Sequence, residues 1–412
     1  MSRSVVVTGV GVCAANGTGV PAFWDAIVHG TSGIGPITAF DPGQLRSRIA
    51  GEVTDFAPEK HVPARTLERL ARFSQLALIA ALEALEQAGI AKGPEREDVA
   101  IVIGSGIGGF DMLEREHETF LNKGPGRFSP LTVPMIIPNM AAGTLAIETA
   151  CHGINLCLST ACATGAHSIG TALDLIRADR ADVAVAGAAE STISPFAVDG
   201  YCQLRALSTR NDEPQRASRP FDADRDGFVI AEGAGVLVLE SQEHARRRGS
   251  EPLAELAGYG ASSDGYHLTA PDPEGDGAVR AMRAALDDAQ LSTDQVDVVN
   301  AHGTSTPLND VIETTAIKRV FGDHASRLMI HSTKSMIGHA LGASSAIEAV
   351  VAVKTLNQGI VHPTVNLERP DPACDLDYVP GDARKVKARS VMSNAFAFGG
   401  QNAVLVFSRP IV

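Results

Sequence analysis

Short runs of β-branched and small apolar residues, each ending at a glycine or a polar turn, recur along this chain and set its architecture. Ser4-Val5-Val6-Val7-Thr8-Gly9-Val10-Gly11 is the first. Val99–Gly104, Val183–Gly187 and Val296–Asn300 follow. Runs this short, with hardly a polar position, read as strands buried on both faces. Between them lie longer stretches with apolar residues at three- and four-residue spacing. These predict helices over Leu67–Gly89 and Val279–Ala289. Strands alternating with helices are the pattern of an α/β layered fold.

The chain has 412 residues, enough for two or three domains or for one large duplicated one. No linker is rich enough in Pro and Ser to separate independent domains. The charged stretch Glu243–Glu251, with Gly249, is the best junction and divides the chain into halves 1–248 and 249–412. A weak echo spans it. Ser159-Thr160-Ala161-Cys162 leads through Gly165-Ala166 into a small-residue helix to Asp179. Ser332-Thr333-Lys334-Ser335 leads through Gly342-Ala343 into another, to Leu356. Two copies are too few for a solenoid and point to two related halves.

Charge excludes some partners. At a formal −13, the chain is a poor bulk ligand for nucleic acid or an anionic membrane. An acidic partner needs a local basic patch. No run of 18 apolar residues exists, so no membrane-spanning helix is expected. The start, Met1–Ala15, mimics a weak signal peptide, but its β-branched residues and glycines read as the first strand. The six cysteines lack zinc-type spacing and need no disulfide framework, which fits a reducing cytoplasm.

Three motifs read as decoys. Gly104-Ser105-Gly106-Ile107-Gly108-Gly109 matches the GxGxxG of dinucleotide sites, and with it a nucleotide-dependent oxidoreductase. No acidic residue follows at the end of a second strand, as the ribose would require. Asp222-x-Asp224-x-Asp226-Gly227 opens like a calcium loop, but its twelfth position is Gly233 rather than a bidentate Glu. Asn16-Gly17-Thr18 is a formal glycosylation acceptor without meaning in the cytoplasm.

Chemistry concentrates elsewhere. Cys162 lies between an apolar run and a helix, flanked by alanines and Gly165. A helix start favours thiolate, and small neighbours leave room for a substrate. His302, in Asn300-Ala301-His302-Gly303, directly follows a buried strand. His339 closes Lys334-Ser335-Met336-Ile337-Gly338-His339. Strand-end loops are where α/β folds carry sites, and a thiolate with imidazoles is an acyl-transfer set.

These stretches, with Ser218-Arg219-Pro220-Phe221-Asp222, Asp226-Gly227-Phe228, His302-Gly303-Thr304-Ser305-Thr306 and Phe396-Ala397-Phe398-Gly399-Gly400, resemble the elongating β-ketoacyl-[acyl carrier protein] synthases of the thiolase superfamily. The resemblance covers nearly the whole chain. A Cys-His-His set separates this class from initiating synthases, which pair Cys with His and Asn, and from thiolases, which use a second, late cysteine. Non-catalytic chain-length factors lack the nucleophile.

The resemblance implies a five-layered αβαβα fold of two related halves and an intimate dimer. It implies that Cys162 and His339 top equivalent helices. It implies decarboxylative condensation of malonyl-acyl carrier protein with an acyl chain held on Cys162, giving a 3-oxoacyl product. The phosphopantetheine arm of the carrier delivers both substrates, and no other cofactor or catalytic metal is expected. The amides of Cys162 and Phe398 would hold the oxyanions, and His302 and His339 the enolate. Lys334, paired with Glu313, would orient the histidines. Thr304 and Thr306 would bind the pantetheine amides, and Ile107 would line the acyl pocket. Arg65, Arg69, Arg72, Arg127 and Arg205 are candidates for docking an acidic carrier. Asn300, Glu348, Ser393 and Asn394 match positions that hold a structural cation in some relatives.

Two departures stand out. Ala397 precedes Phe398 where the family has glycine, and Gln401 follows Gly400 where it has Thr or His. A third is Ile147–His152, unusual before the nucleophile strand. They favour, as the alternative, a ketosynthase subunit of a type II polyketide synthase, paired with a chain-length factor instead of itself. Alanine reaches positive φ at a cost of about 1 kcal/mol, so Ala397 is expected to restrict the gate loop.

Overall fold

The computed structural model describes residues 3–90, 96 and 98–410. Met1, Ser2 and Val412, the outermost ends of the two expected halves, lie outside them. Ten strands build the main sheet system: β1 (Val5–Ala14), β2 (Ala100–Gly104), β3 (Asn155–Leu156), β4 (Val183–Glu190), β5 (Gly233–Ser241), β6 (Ala254–Ser263), β7 (Val298–Asn300), β8 (Met329–His331), β9 (Ser390–Phe396) and β10 (Gln401–Ser408). The short pair partner Gly17–Thr18 folds back on β1.

The strand order is β8-β7-β9-β10-β6-β1-β5-β4-β2-β3. It reads as one arrangement made twice. In the first half β3, β2 and β4 are parallel and β5 and β1 run antiparallel. In the second, β8, β7 and β9 are parallel and β10 and β6 run antiparallel. Within the sheet system, the strands of the two halves pair at Val6 opposite Glu255 and Val7 opposite Ala254.

Five helices complete the layers: α1 (Arg72–Ala88), α2 (Thr164–Arg177), α3 (Asp276–Ala289), α4 (Asn309–Phe321) and α5 (Ser344–Gln358). The period-two alternation of each strand shows which layer it faces. Val5, Val7, Ala100, Val102, Ala184, Ala186, Leu237 and Leu239 turn inward onto α2 and α5. Ile101, Ile103, Val183, Val185, Val236 and Val238 turn outward onto α1. In the second half Val299, Ile330, Met392, Val404 and Val406 face outward onto α3 and α4. The result is helix, sheet, helix pair, sheet, helix: the five-layered αβαβα fold. Both faces of β1, β4 and β5 are buried along their whole length, which gives continuous apolar runs, whereas β6 alternates between buried and part-exposed positions.

The expected helix over Leu67–Gly89 is interrupted. A short turn of helix, Ala64–Leu67, ends before α1 starts at Arg72. Gln75 caps the break by donating to the carbonyls of Leu67 and Leu70 at 3.0 and 3.1 Å. Arg72 is drawn inward to the Glu232 carboxylate at 2.8 and 2.7 Å. That contact sets the new helix start.

Candidate active site

Cys162 sits in a single 3-10 turn, Ala161–Ala163, that runs into α2. Ala161 adopts φ 47°, the left-handed region alanine enters at a cost of about 1 kcal/mol. The turn is held by Ala163 N–H donating to the Thr160 carbonyl (3.1 Å) and Thr160 N–H donating to Thr164 Oγ1 (2.8 Å). The second half repeats it: Leu341 has φ 46°, and Leu341–Ala343 runs into α5. The counterpart of Cys162 is therefore Gly342. His339 lies three residues upstream, in the connection before that turn, so the expectation that Cys162 and His339 top equivalent helices is corrected. The echo between Ser159–Cys162 and Ser332–Ser335 is likewise out of register.

The two helix starts are fastened together. A Cβ on Gly165 would lie 2.6 Å from the Ala346 backbone nitrogen, so only glycine permits this approach. Ser345 Oγ donates to the Cys162 carbonyl (3.2 Å) and accepts from Ala166 N–H (3.0 Å). This junction brings the two halves' chemistry to one point.

His339 is fixed on every side. Its N–H donates to the Val229 carbonyl (2.7 Å), and its carbonyl accepts from Ala231 N–H (2.9 Å). Nδ1 meets Ser344 Oγ at 2.9 Å, and Nε2 meets Cys162 Sγ at 3.1 Å. His302 stands at right angles to it, ring centres 5.5 Å apart. One ligand atom from each of Cys162, His302 and His339 falls within 4.8 Å of the others. The expected trio is thus assembled, although its members come from both halves.

Glu313 and Lys334 take different parts from those expected. Glu313 is buried and accepts from the amides of His302 and Gly303, both at 2.8 Å, and from Asn394 Nδ2 at 3.1 Å. It holds the His302 loop. Lys334 pairs instead with Glu348, Nζ to Oε1 2.5 Å, both side chains buried. The correction follows from α5: Glu348 projects from it toward Lys334, while Glu313 is spent on backbone amides. Asn300 Oδ1, Asn394 Oδ1 and Glu348 Oε2 remain buried without a protein partner. Asn300 lies opposite Ser393 across neighbouring strands. Unpartnered oxygens of this kind are the donor type a hard cation takes.

Burial dominates the electrostatics. It pushes the Cys162 thiol up to about 11, against the opposing pull of Lys334 and the Phe398 amide. The expectation of a resting thiolate is therefore corrected: desolvation outweighs the helix start. Burial and then Lys334 hold both His302 and His339 well below the usual imidazole value. The resting site is a neutral thiol beside two neutral rings.

These groups open into a cavity of about 620 Å³. Ile107, Thr304, Thr306 and Phe398 line it as expected. Thr304 Oγ1 and Thr306 Oγ1 lie 2.9 Å apart, facing the opening as a pair. The glycine-rich loop cradles a carboxylate from the protein itself. Glu190 accepts from Gly106 N–H (2.8 Å), Ile107 N–H (3.2 Å), Ser105 Oγ (2.9 Å) and Gly342 N–H (3.2 Å). The place of a phosphate is filled, which removes the dinucleotide reading. The calcium-like Asp222 is equally committed, to Arg219 and to the amides of Asp224, Glu368 and Arg369.

Ala397 is extended, φ −119°, and the positive φ values fall on Gly399 (81°) and Gly400 (70°). Alanine is unstrained here, so the expected restriction has no basis in this conformation. Of the five arginines, Arg205 is exposed at the cavity mouth and Arg65, Arg69 and Arg127 are exposed elsewhere. Arg72 is committed to Glu232 and is removed from the docking set. Glu190, Ser344 and Ser345 were not singled out from sequence. The Ser-Ser pair at a helix start was the available signal for two of them; nothing marked Glu190 beyond its place at a strand end.

Residues 2–245 match the family described as "Beta-ketoacyl synthase, N-terminal domain", and residues 253–368 match "Beta-ketoacyl synthase, C-terminal domain". This chain belongs to the β-ketoacyl synthases. Among relatives of this synthase is the 3-oxoacyl-[acyl-carrier-protein] synthase 2 of Coxiella burnetii, 45% identical over 99% of both chains. Among solved structures, the ishigamide ketosynthase/chain length factor superposes with a TM-score of 0.93 at 36% identity, covering 100% of both chains. A type II PKS ketosynthase solved in complex with its acyl-carrier protein gives 0.90 at 35% identity, also over 100% of both. The β-ketoacyl synthase assignment makes this chain an acyltransferase that forms a carbon–carbon bond.

Proposed function

We propose that this synthase loads an acyl chain from a carrier protein onto Cys162 and extends it by two carbons from malonyl-carrier protein. The observation that carries the reading is the 3.1 Å contact of His339 Nε2 with Cys162 Sγ inside a cavity that also holds His302. In loading, Sγ attacks the thioester carbonyl. Its proton passes through His339 Nε2 to the departing pantetheine sulfur, leaving an acyl-cysteine. The amides of Cys162 and Phe398 receive the oxyanion. In the second half-reaction malonyl thioester loses carbon dioxide, and the electron pair of the broken C–C bond becomes an enolate. Neutral His302 and His339 donate N–H to its oxygen. The enolate carbon attacks the acyl-cysteine, and collapse of that tetrahedral oxyanion expels the Cys162 sulfur as thiolate, which takes a proton from solvent through His339 Nε2 to restore the thiol.

Thr304 and Thr306 bind the pantetheine arm, and Lys334, anchored on Glu348, keeps both rings neutral. The carrier's phosphopantetheine is the only prosthetic group the scheme requires. Exposed Arg205 at the mouth supplies the local positive charge an acidic carrier needs. A second copy, or a chain-length-factor-like paralogue, covers the apolar face around Leu121, Val133 and Ile147, which are 66, 65 and 75% exposed. Strand β3, an open sheet edge, lies beside it. Among the described residues no helix is long and apolar enough to cross a membrane, and all six cysteines are free thiols. The reading places the enzyme in the cytoplasm, in fatty-acid or type II polyketide chain elongation.

His302→Ala tests the division of labour, because His302 has no part in the loading step. Malonyl decarboxylation should fall about 100-fold to 1000-fold, the cost of one lost preorganised donor, and acyl loading far less. Loss of loading with intact decarboxylation would reverse the assigned roles.

A further inference from the structure

Tyr201 lies in the helix Pro195–Gln203 and forms part of the cavity wall. Its surroundings there are apolar: Ile107, Phe228 and Leu341 belong to the same packed cluster and line the same cavity. The Tyr201 ring meets Phe228 edge-on at 5.7 Å, and Phe228 meets the His339 ring at 5.2 Å. The phenol is thus two rings removed from the reacting centre, on the side where an acyl chain leaving Cys162 has apolar wall to follow.

The hydroxyl is the anomaly. The carboxylate of Glu190, the other polar group set in this part of the wall, accepts hydrogen bonds from Gly106, Ile107, Ser105 and Gly342. Beyond the bonds of its helix, the Tyr201 carbonyl accepts from Ala206 N–H, and the hydroxyl bonds to no described residue. A phenylalanine would supply the same ring packing. The hydroxyl is not sealed in the core but opens on the cavity, so a chain that displaces water from it must bring an acceptor or leave it unpaired. Burial, and then the Glu190 carboxylate, raise the phenol further above its usual range, so it stays protonated and acts as a donor.

We infer that Tyr201 is a specificity-determining residue whose hydroxyl donates to an oxygen carried within the acyl chain, a keto or hydroxyl group along its length. The substrate class it favours is therefore an oxygen-bearing acyl chain over a fully saturated one of equal length. This rests on the proposed loading of Cys162, and it adds to that reading which chains are loaded best.

The experiment compares two synthetic acyl-carrier proteins of equal chain length, one saturated and one carrying a single in-chain keto group, stepped along the chain in a short series. Loading rates onto Cys162 are followed by intact-protein mass spectrometry for the wild-type chain and for Tyr201→Phe. For one position of the oxygen, the wild type should load the keto chain faster than the saturated chain. In Tyr201→Phe that ratio should fall by about threefold to tenfold, the worth of one neutral hydrogen bond. A ratio that Tyr201→Phe leaves unchanged at every oxygen position overturns the inference while the loading reaction stands. Failure of the wild type to load either chain overturns the loading reading, and the inference with it.

Discussion

His339 Nε2 lies 3.1 Å from Cys162 Sγ, although 177 residues separate them in the chain. The contact exists because the two halves fold alike and join at their nucleophile-side turns, where Gly165 lets α2 approach α5. Each half presents one such turn. Only the first carries a sulfur on it, and the second offers its histidine from the connection just before. The site lies where two similarly folded halves differ in equivalent loops.

Neutral imidazoles have a direct pH signature. Burial and Lys334 hold His302 and His339 well below 6.5, so their donor form persists as pH falls through that value. The rate of malonyl decarboxylation should stay level from pH 8 to below 6.5. A loss of activity with a midpoint near 6.5 in a kcat profile would show that a ring titrates as if exposed.

Ser344 is the only partner found for His339 Nδ1 among the described residues, at 2.9 Å. A hydroxyl can donate to or accept from that nitrogen, so it serves both ring tautomers: proton acceptor at Nε2 during loading, donor there during decarboxylation. Ser344→Ala should slow both half-reactions by about tenfold, the loss of one hydrogen bond, with no change in thermal midpoint beyond a few degrees. Ser344→Thr should recover most of the rate. An alanine variant as fast as wild type in both steps would leave the serine without a catalytic part.

The Lys334–Glu348 pair is buried on both sides. Removing one partner strands a charge, so Lys334→Met or Glu348→Gln alone should cost about 3–5 kcal/mol of stability. The double replacement should recover much of that, while decarboxylation stays impaired. Urea unfolding and activity assays of all three variants separate the two effects. Equal activity of the double variant and wild type would remove Lys334 from the machinery.

His331 offers a stability test away from the chemistry. Its ring is buried against His362, centres 4.1 Å apart, and both of its nitrogens lack a partner. Burial holds its pKa well below 6.5, so as pH drops under 6.5 the unfolded chain takes up a proton the folded one refuses. Stability present above that value is lost on acidification, by about 1.4 kcal/mol per pH unit for this ring. His331→Leu should flatten the fall in urea midpoint between pH 6.5 and 5 by that amount. An unchanged slope would mean that the ring protonates freely in the folded state.

Strands β1, β2, β4 and β7 were legible because both their faces are buried, leaving runs such as Val183–Gly187 with no polar position to confuse the period; β5, β6, β9 and β10 were not picked out. Cys162, His302 and His339 were legible because each carries a local signal: His302 follows a buried strand and precedes Gly303, His339 follows Gly338, and Cys162 stands among small residues at a helix start. What failed depended on side-chain reach across layers. Nothing in the chain distinguishes Glu348 from Glu313 as the partner of Lys334; both are buried carboxylates, and only the fold decides which one backbone amides claim. Arg72 reads as surface on a helical wheel, yet Glu232, 160 residues away, draws it in. The register of the two halves also eluded the sequence, because Gly342 bears no side chain to match Cys162.

The account rests on one covalent event. Intact-protein mass spectrometry after incubation with an acyl-carrier protein and no malonyl unit should show a single acyl adduct, mapped by peptide analysis to Cys162 and absent from Cys162→Ser. An adduct on any of the other five cysteines, or condensation by Cys162→Ser at the wild-type rate, would contradict it.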